Sequence, residues 1–251
     1  MVLVKIKLIR LVKGCVLMRV IHEGYLYQLT SLARLFPVNC YLIEEEEGLT
    51  LIDAAMPFSA KGILQAVKRI GKPVTKIVLT HAHEDHIGAL DAVKAEFANA
   101  PVYISKRDAR IMDGDISLEM DEPQTPIKGG VPKRLKTRPD ILLNEGDRVG
   151  SLIAIETPGH TPGSMSFIDT RSDACITGDA FQIRGGMAVA GDKRFWFPFP
   201  AFGTWDKKTA LKSAKKILSY QPSILAVGHG EMIKNPQSEM EKVINRFEMK
   251  L

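Results

Sequence analysis

Thr80-His81-Ala82-His83-Glu84-Asp85-His86 follows the apolar run Ile77-Val78-Leu79 and precedes a helical pattern of Ile87, Leu90, Val93 and Phe97. A β-branched run that ends in such a cluster reads as a buried strand whose carboxyl end delivers side chains into a cleft. His81 and His83 are two apart, so in an extended backbone both imidazoles leave on the same side and can share one metal ion. Asp85 and His86 come after the turn into the helix and aim at a second point, so the stretch reads as built for two metals. A single histidine is more often a hydrogen-bonded core side chain. Here, however, three of the chain's six histidines crowd together beside an aspartate. His83 and His86 are three apart, not the four of a zincin helix, which makes Glu84 a solvent-facing residue and no general base.

His81-Ala82-His83-Glu84-Asp85-His86 resembles the H-x-H-x-D-H signature of the metallo-β-lactamase-fold hydrolases, in the branch that includes glyoxalase II and the lactonases. Other segments resemble further motifs of that family, in the family's order. Leu51-Ile52-Asp53 resembles its early hairpin aspartate, and Thr157-Pro158-Gly159-His160-Thr161-Pro162-Gly163 its third-histidine loop. Ile176-Thr177-Gly178-Asp179 resembles its bridging-aspartate motif, and Val227-Gly228-His229-Gly230 its final-histidine strand end. The resemblance implies an α/β fold, a four-layer αββα sandwich of two packed sheets with helices outside. It also implies a ligand set: His81, His83 and His160 for one metal, Asp85, His86 and His229 for the other, and Asp179 bridging both. Nitrogen and oxygen donors without a thiolate suit two zinc ions first, with iron or manganese as alternatives. A pair of cations about 3.5–4 Å apart lowers the pKa of a shared water, so that hydroxide can attack a carbonyl or a phosphorus. Asp85 is then a candidate proton shuttle to the leaving group. Asp53 has two readings: it braces a ligating imidazole, as in the family, or it caps the segment after Pro57.

The chain has 251 residues, 45% of them hydrophobic, which is material for a sizeable core in one domain over 18–251. Cys15, Cys40 and Cys175 are odd in number and scattered, which provides neither a disulfide framework nor a Cys-x-x-Cys zinc site and favours a reducing, cytoplasmic compartment. A net charge of +5, from 34 Lys+Arg against 29 Asp+Glu, is too mild to require nucleic acid. Residues 1–17 alternate basic and apolar positions, so charges break every signal-peptide core and an extension or edge strand is expected. No run is long and apolar enough to span a membrane.

Residues 39–45 and 48–53 read as a hairpin, 59–70 as an amphipathic helix and 101–105 as a further strand. Residues 106–140 break this rhythm with Gly114, Gly129, Gly130 and several prolines, acidic first and basic later. They read as a lid-like insertion whose basic residues reach an anionic substrate group, or as a solvated loop. Strands resume at 152–156, 164–169 and 174–177. A helix over 206–220, a strand over 223–227 and a final helix after Asn235-Pro236 follow.

Between Phe181 and Trp205 lie seven of the chain's 17 aromatic residues, in no helical or strand period. Phe181, Gln182, Phe195, Trp196 and Phe197 are the expected apolar pocket wall, Gln182 standing where lactonase relatives carry Tyr. The alternative is a subunit interface, a homodimer through residues 195–205. The expected activity is hydrolysis of an ester, thioester or lactone of a small molecule with an apolar group. The competing activities are phosphodiester cleavage and, on a single iron, sulfur-oxidising dioxygenase chemistry.

Overall fold

Within Cys40-Tyr41-Leu42-Ile43 successive side chains alternate faces, and both faces are buried, which explains why the run is apolar throughout. The computed structural model describes residues 18–251, so the extension expected at 1–17 lies outside the described residues. β1 (Arg19–Glu23), β2 (Leu26–Ser31), β3 (Val38–Glu44) and β4 (Leu49–Ile52) are antiparallel neighbours. β5 (Val74–Val78), β6 (Val102–Ser105) and β7 (Ile141–Leu143) then extend the same sheet in parallel. A parallel step needs a crossover. These crossovers are α1 (Ala60–Ile70), then α2 (Glu84–Ile87) with α3 (Leu90–Glu96), then α4 (Lys106–Met112) with the irregular residues 113–140. α1 stops where Gly71 turns left-handed at φ 83° and its N–H returns to the Val67 carbonyl.

In the second sheet β8 (Arg148–Val149), β9 (Leu152–Glu156), β10 (Met165–Asp169) and β11 (Ala174–Ile176) form an antiparallel meander. A small hairpin, β12 (Phe181–Gln182) with β13 (Ala188–Val189), precedes the short α5 (Phe199–Gly203) and α6 (Lys207–Ser219). The Asp206 carboxylate caps α6 by accepting from Thr209 N–H at 2.7 Å. β14 (Ile224–Ala226) joins β11 in parallel, β15 (Ile233–Lys234) forms the edge, and α7 (Gln237–Glu248) closes the described chain.

Three apolar clusters stack these elements into four layers. Tyr41, Ile43, Ile52 and Val78 of the first sheet meet Leu152, Met165, Phe167 and Ile176 of the second. The outer face of the first sheet packs Leu42, Leu51 and Ile77 against Ile63 and Val67 of α1, Leu90 and Val93 of α3 and Ile111 of α4. The outer face of the second packs Ile155, Cys175 and Leu225 against Ile217 of α6 and Val243 and Phe247 of α7. Each large apolar side chain buried this way contributes about 1.5–3 kcal/mol. The result is the expected αββα sandwich. No helix among the described residues is long and apolar enough to cross a membrane.

The carboxyl ends of β5, β11 and β14 and the loop from β9 to β10 open onto one place, and the histidines and aspartates singled out above sit there. The insertion at 106–140 begins as α4 and then runs back along this edge, held by Ile127, Val131 and Leu135 against the core.

Candidate metal centre

The site begins at the end of β4. Asp53 has a left-handed backbone, φ 59°, which a residue with a side chain adopts at a cost of about 1–3 kcal/mol. That turn aims its carboxylate back across the sheet. Oδ1 accepts from the Thr80 N–H at 2.8 Å, and Oδ2 accepts from the Thr80 hydroxyl at 2.8 Å and faces His86 Nδ1 at 2.9 Å. Asp53 therefore braces His86 and caps no helix. Although it also lies near His81 and His86 in a third cluster of metal-competent groups, its oxygens are already committed.

The same logic holds each imidazole by one nitrogen and turns the other toward the cleft. His81 Nδ1 meets the Thr80 hydroxyl at 3.0 Å, and His229 Nδ1 donates to the Pro37 carbonyl at 2.7 Å. His160 Nδ1 lies 3.3 Å from the Thr204 hydroxyl, which donates to the Pro200 carbonyl. His83 is held the other way round. Its Nε2 donates to the Lys128 carbonyl at 2.8 Å, leaving Nδ1 to face His160 Nε2 at 2.9 Å. The insertion thus grips His83 closely. A Cβ at Gly129, whose φ is 96°, would fall 2.2 Å from His83 Nε2, so only glycine fits.

The remaining nitrogens converge in two groups. One atom each from His81, His83 and His160 lie within 4.8 Å of one another, as do atoms of Asp85, His86 and His229. Asp179, delivered by the turn after β11, stands between them. Its Oδ1 is 3.3 Å from His86 Nε2, and its Oδ2 is 3.4 Å from His160 Nε2 and 3.2 Å from His229 Nε2. Asp85 is the most exposed of the set, with Oδ2 3.5 Å from His229 Nε2.

Burial pushes the His160 imidazole down to about 3, and burial with the neighbouring imidazoles holds His81 well below its ordinary value. Burial lowers His83 as well. Burial also opposes charge on His86 and His229, but Asp179 and Asp85 outweigh it and raise both. Burial would raise Asp179, yet His229, His86 and His160 hold its carboxyl well below the usual range.

Among the buried polar atoms without a well-formed hydrogen bond are His81 Nε2, of the first group, and His86 Nε2 and Asp179 Oδ1, which face each other at 3.3 Å. A buried donor or acceptor left unpaired costs about 1–3 kcal/mol, and a cation is the group all three would satisfy. The donor set therefore fits a pair of metal ions.

The cleft above these groups has a volume of about 290 Å³; Phe36, Phe199 and Phe202 give it an apolar lining, and Gly129, Gly130 and Gly203 also line it. No Lys or Arg side chain lines it among the described residues. The aromatic stretch is placed differently from expectation. Phe181 is buried in the outer core against α6 and α7. Gln182 is buried too and donates to the Phe197 and Arg184 carbonyls. Phe197 lies behind the wall, its ring 5.1 Å from Phe36 and 5.4 Å from His229. Phe195 and Trp196, 84% and 82% exposed, stand on the surface against each other and line no part of the cleft. A loop without period gives no rule for which aromatic turns inward, and Phe36 comes from a turn before β3 that carries no comparable signal.

A family model for the metallo-beta-lactamase superfamily matches residues 33–229. YobT of Bacillus subtilis (strain 168) is 56% identical over 229 residues, 91% of this chain and 98% of that protein. The probable metallo-hydrolase YflN of the same organism is 31% identical over 234 residues, 83% of this chain and 87% of that protein. Among solved structures, TTHA1623 in a di-iron-bound form superposes with a TM-score of 0.61 at 28% identity, covering 83% of this chain and 94% of that one. On the motif order, the layered fold and these matches together, the chain belongs to the metallo-beta-lactamase superfamily.

Proposed function

We propose that this chain is a dinuclear metal-dependent hydrolase that cleaves an ester, thioester or lactone bond in a small molecule carrying an apolar group. The reading is carried by the pairing of buried, underbonded ligand atoms, His81 Nε2 foremost, with an aromatic cleft lining that holds no Lys or Arg; Lys193 Nζ stands over the Phe202 ring at 5.1 Å and outside that lining. His81, His83 and His160 would hold one cation and Asp85, His86 and His229 the other, with Asp179 between. When bound, the pair would supply a water acidified to ionise near neutral pH and positive charge for the developing oxyanion. Phe36, Phe199 and Phe202 bind the apolar part of the substrate and exclude water around the scissile bond. Asp85, part-exposed and 3.5 Å from His229, is placed to carry a proton to the leaving group. The strap of Lys128, Gly129 and Gly130 covers His83, and its two glycines line the cleft. Zinc is the first choice for this donor set. Iron is the second, favoured by the di-iron form of TTHA1623.

Elemental analysis of the purified protein, with a panel of lactone, thioester, carboxylic ester, β-lactam and phosphodiester substrates, tests the reading. About two equivalents of metal and turnover of an apolar acyl substrate are expected. Turnover confined to bis(p-nitrophenyl) phosphate and RNA would overturn it. Phe199→Ala should raise KM for that acyl substrate roughly tenfold with little change in kcat, because the lost contact is made equally in ground and transition states. An equal fall in kcat at unchanged KM would show that Phe199 orients the reacting bond and does not merely hold the apolar group.

A further inference from the structure

Asp108 is fully buried on the first turn of α4, far in sequence from every proposed ligand. The cap of that helix is already supplied by Ser105, whose hydroxyl accepts from the Asp108 N–H at 3.0 Å. The Asp108 carboxylate turns away from its own helix instead. Oδ2 accepts from the Ala82 N–H at 2.9 Å and from the Thr161 hydroxyl at 2.8 Å, and Oδ1 accepts from the Gly163 N–H at 2.8 Å. All three partners are donors, so the site is built for the ionised carboxylate. Ala82 sits between His81 and His83, while Thr161 and Gly163 follow His160. One side chain thus ties together the two backbone segments that carry the three-histidine group. The approach is close: a Cβ at Gly163 would fall 2.6 Å from Asp108 Oδ1 and 2.6 Å from Ser105 Oγ. Ser105 adds a second tie by donating to the Gly163 carbonyl at 2.6 Å.

We infer that Asp108 is a positioning residue that fixes the distance between the 81–83 segment and the His160 loop, and so prearranges the three-histidine metal site without touching the other. It is no part of the Asp85, His86 and His229 group, which is positioned by Asp53 and by the Pro37 carbonyl. The inference rests on the metal reading above, and the test separates the two.

Asp108→Asn keeps the size and shape of the side chain, but whichever way the amide is placed its NH2 faces a donor. Cobalt(II) binding to the metal-free protein, followed in competition with a chromophoric chelator, reads the affinity of each site. His160→Ala identifies the step that belongs to the three-histidine group. Asp108→Asn should weaken that same step roughly 10- to 100-fold and leave the other unchanged. Asp169→Asn, at a buried carboxylate at the last residue of β10 that pairs with Arg171 in the following turn, is the control and should lower the melting temperature with both steps intact. If Asp108→Asn does not fold, Thr161→Val removes a single donor and should weaken the same step by a smaller factor. Unchanged affinities with lowered melting, or equal loss of both steps, would overturn the positioning role. A wild-type protein that binds no cobalt would sink the metal reading itself.

Discussion

Asp179→Ala is expected to lower turnover of the acyl substrate about a thousandfold or more, the scale on which loss of a charge-stabilising group at the reacting centre is felt. Asp179 stands between the two groups of ligand nitrogens. Its two oxygens lie 3.2–3.4 Å from His86, His160 and His229. A carboxylate can offer one oxygen to each of two cations, which an imidazole cannot do with one exposed nitrogen. Removing it leaves His86 and His229 with Asp85 alone of the two carboxylates that raise them, in a pocket where burial disfavours their charged forms. Metal content should fall with activity while the sheets remain folded, since Asp179 takes no part in either sheet's ladder. Asp179→Asn, which keeps the shape and one oxygen, should retain about one equivalent of metal and little activity. Full turnover with two equivalents in either variant would remove the bridging role.

How much of this could be read from the chain alone follows from where each residue lies. His81, His83, Asp85 and His86 were legible because strand period and turn both act within a few residues, and because the density of ligand types is itself a signal. His160, Asp179 and His229 were legible through the resemblance of their glycine-bearing segments to the family's motifs. Gly178 and Gly230 have φ values of 49° and 117°, and the approach of Gly178 to the Thr80 side chain leaves no room for a Cβ. Asp53 stood between two readings, and only the left-handed turn at 53, a tertiary feature, selects the bracing one. Asp108 was hidden in the charged run Lys106-Arg107-Asp108-Ala109-Arg110, which opens the stretch read as a lid-like insertion or solvated loop and not as a helix. Its one local trace is the Ser105-x-x-Asp108 spacing of a capping pair, and even that describes the helix and not the carboxylate's real partners. β1 and β2 were not read as strands, because Gln28 and Thr30 are buried and their polarity masks the alternation. Gln28 donates to the Gly230 carbonyl at 2.7 Å, beside His229. The wall of the cleft was illegible for a further reason: Phe36, from the turn before β3, and Phe199 and Phe202, from the short α5, are brought together by contacts far apart in sequence.

Gly228→Ala should be nearly as damaging to activity as loss of a ligand, although it adds a single methyl group to a residue that coordinates nothing. The new Cβ would lie 2.0 Å from Asp179 Oδ1 and 2.6 Å from His86 Cε1. The backbone cannot step back, because the Gly228 N–H donates to the Gly178 carbonyl at 2.7 Å and its own carbonyl accepts from the Asn39 N–H at 2.9 Å. Gly178 is itself pinned, since it abuts Thr80, which Asp53 holds. The side chains must therefore yield, and those nearest are the residue between the two groups and one histidine of the second. Displacement by about 1 Å at a reacting centre costs on the order of 100-fold in rate, and overpacking costs about 1–3 kcal/mol of stability. Turnover should fall by at least that factor, with loss of metal from the Asp85, His86 and His229 group first, while the metal-free protein melts only a few degrees lower. The three-histidine group lies on the far side of Asp179 and should keep its cobalt affinity. Undiminished activity with two equivalents bound would mean that Asp179 and His86 can move aside without consequence, and that their spacing is not what the site depends on.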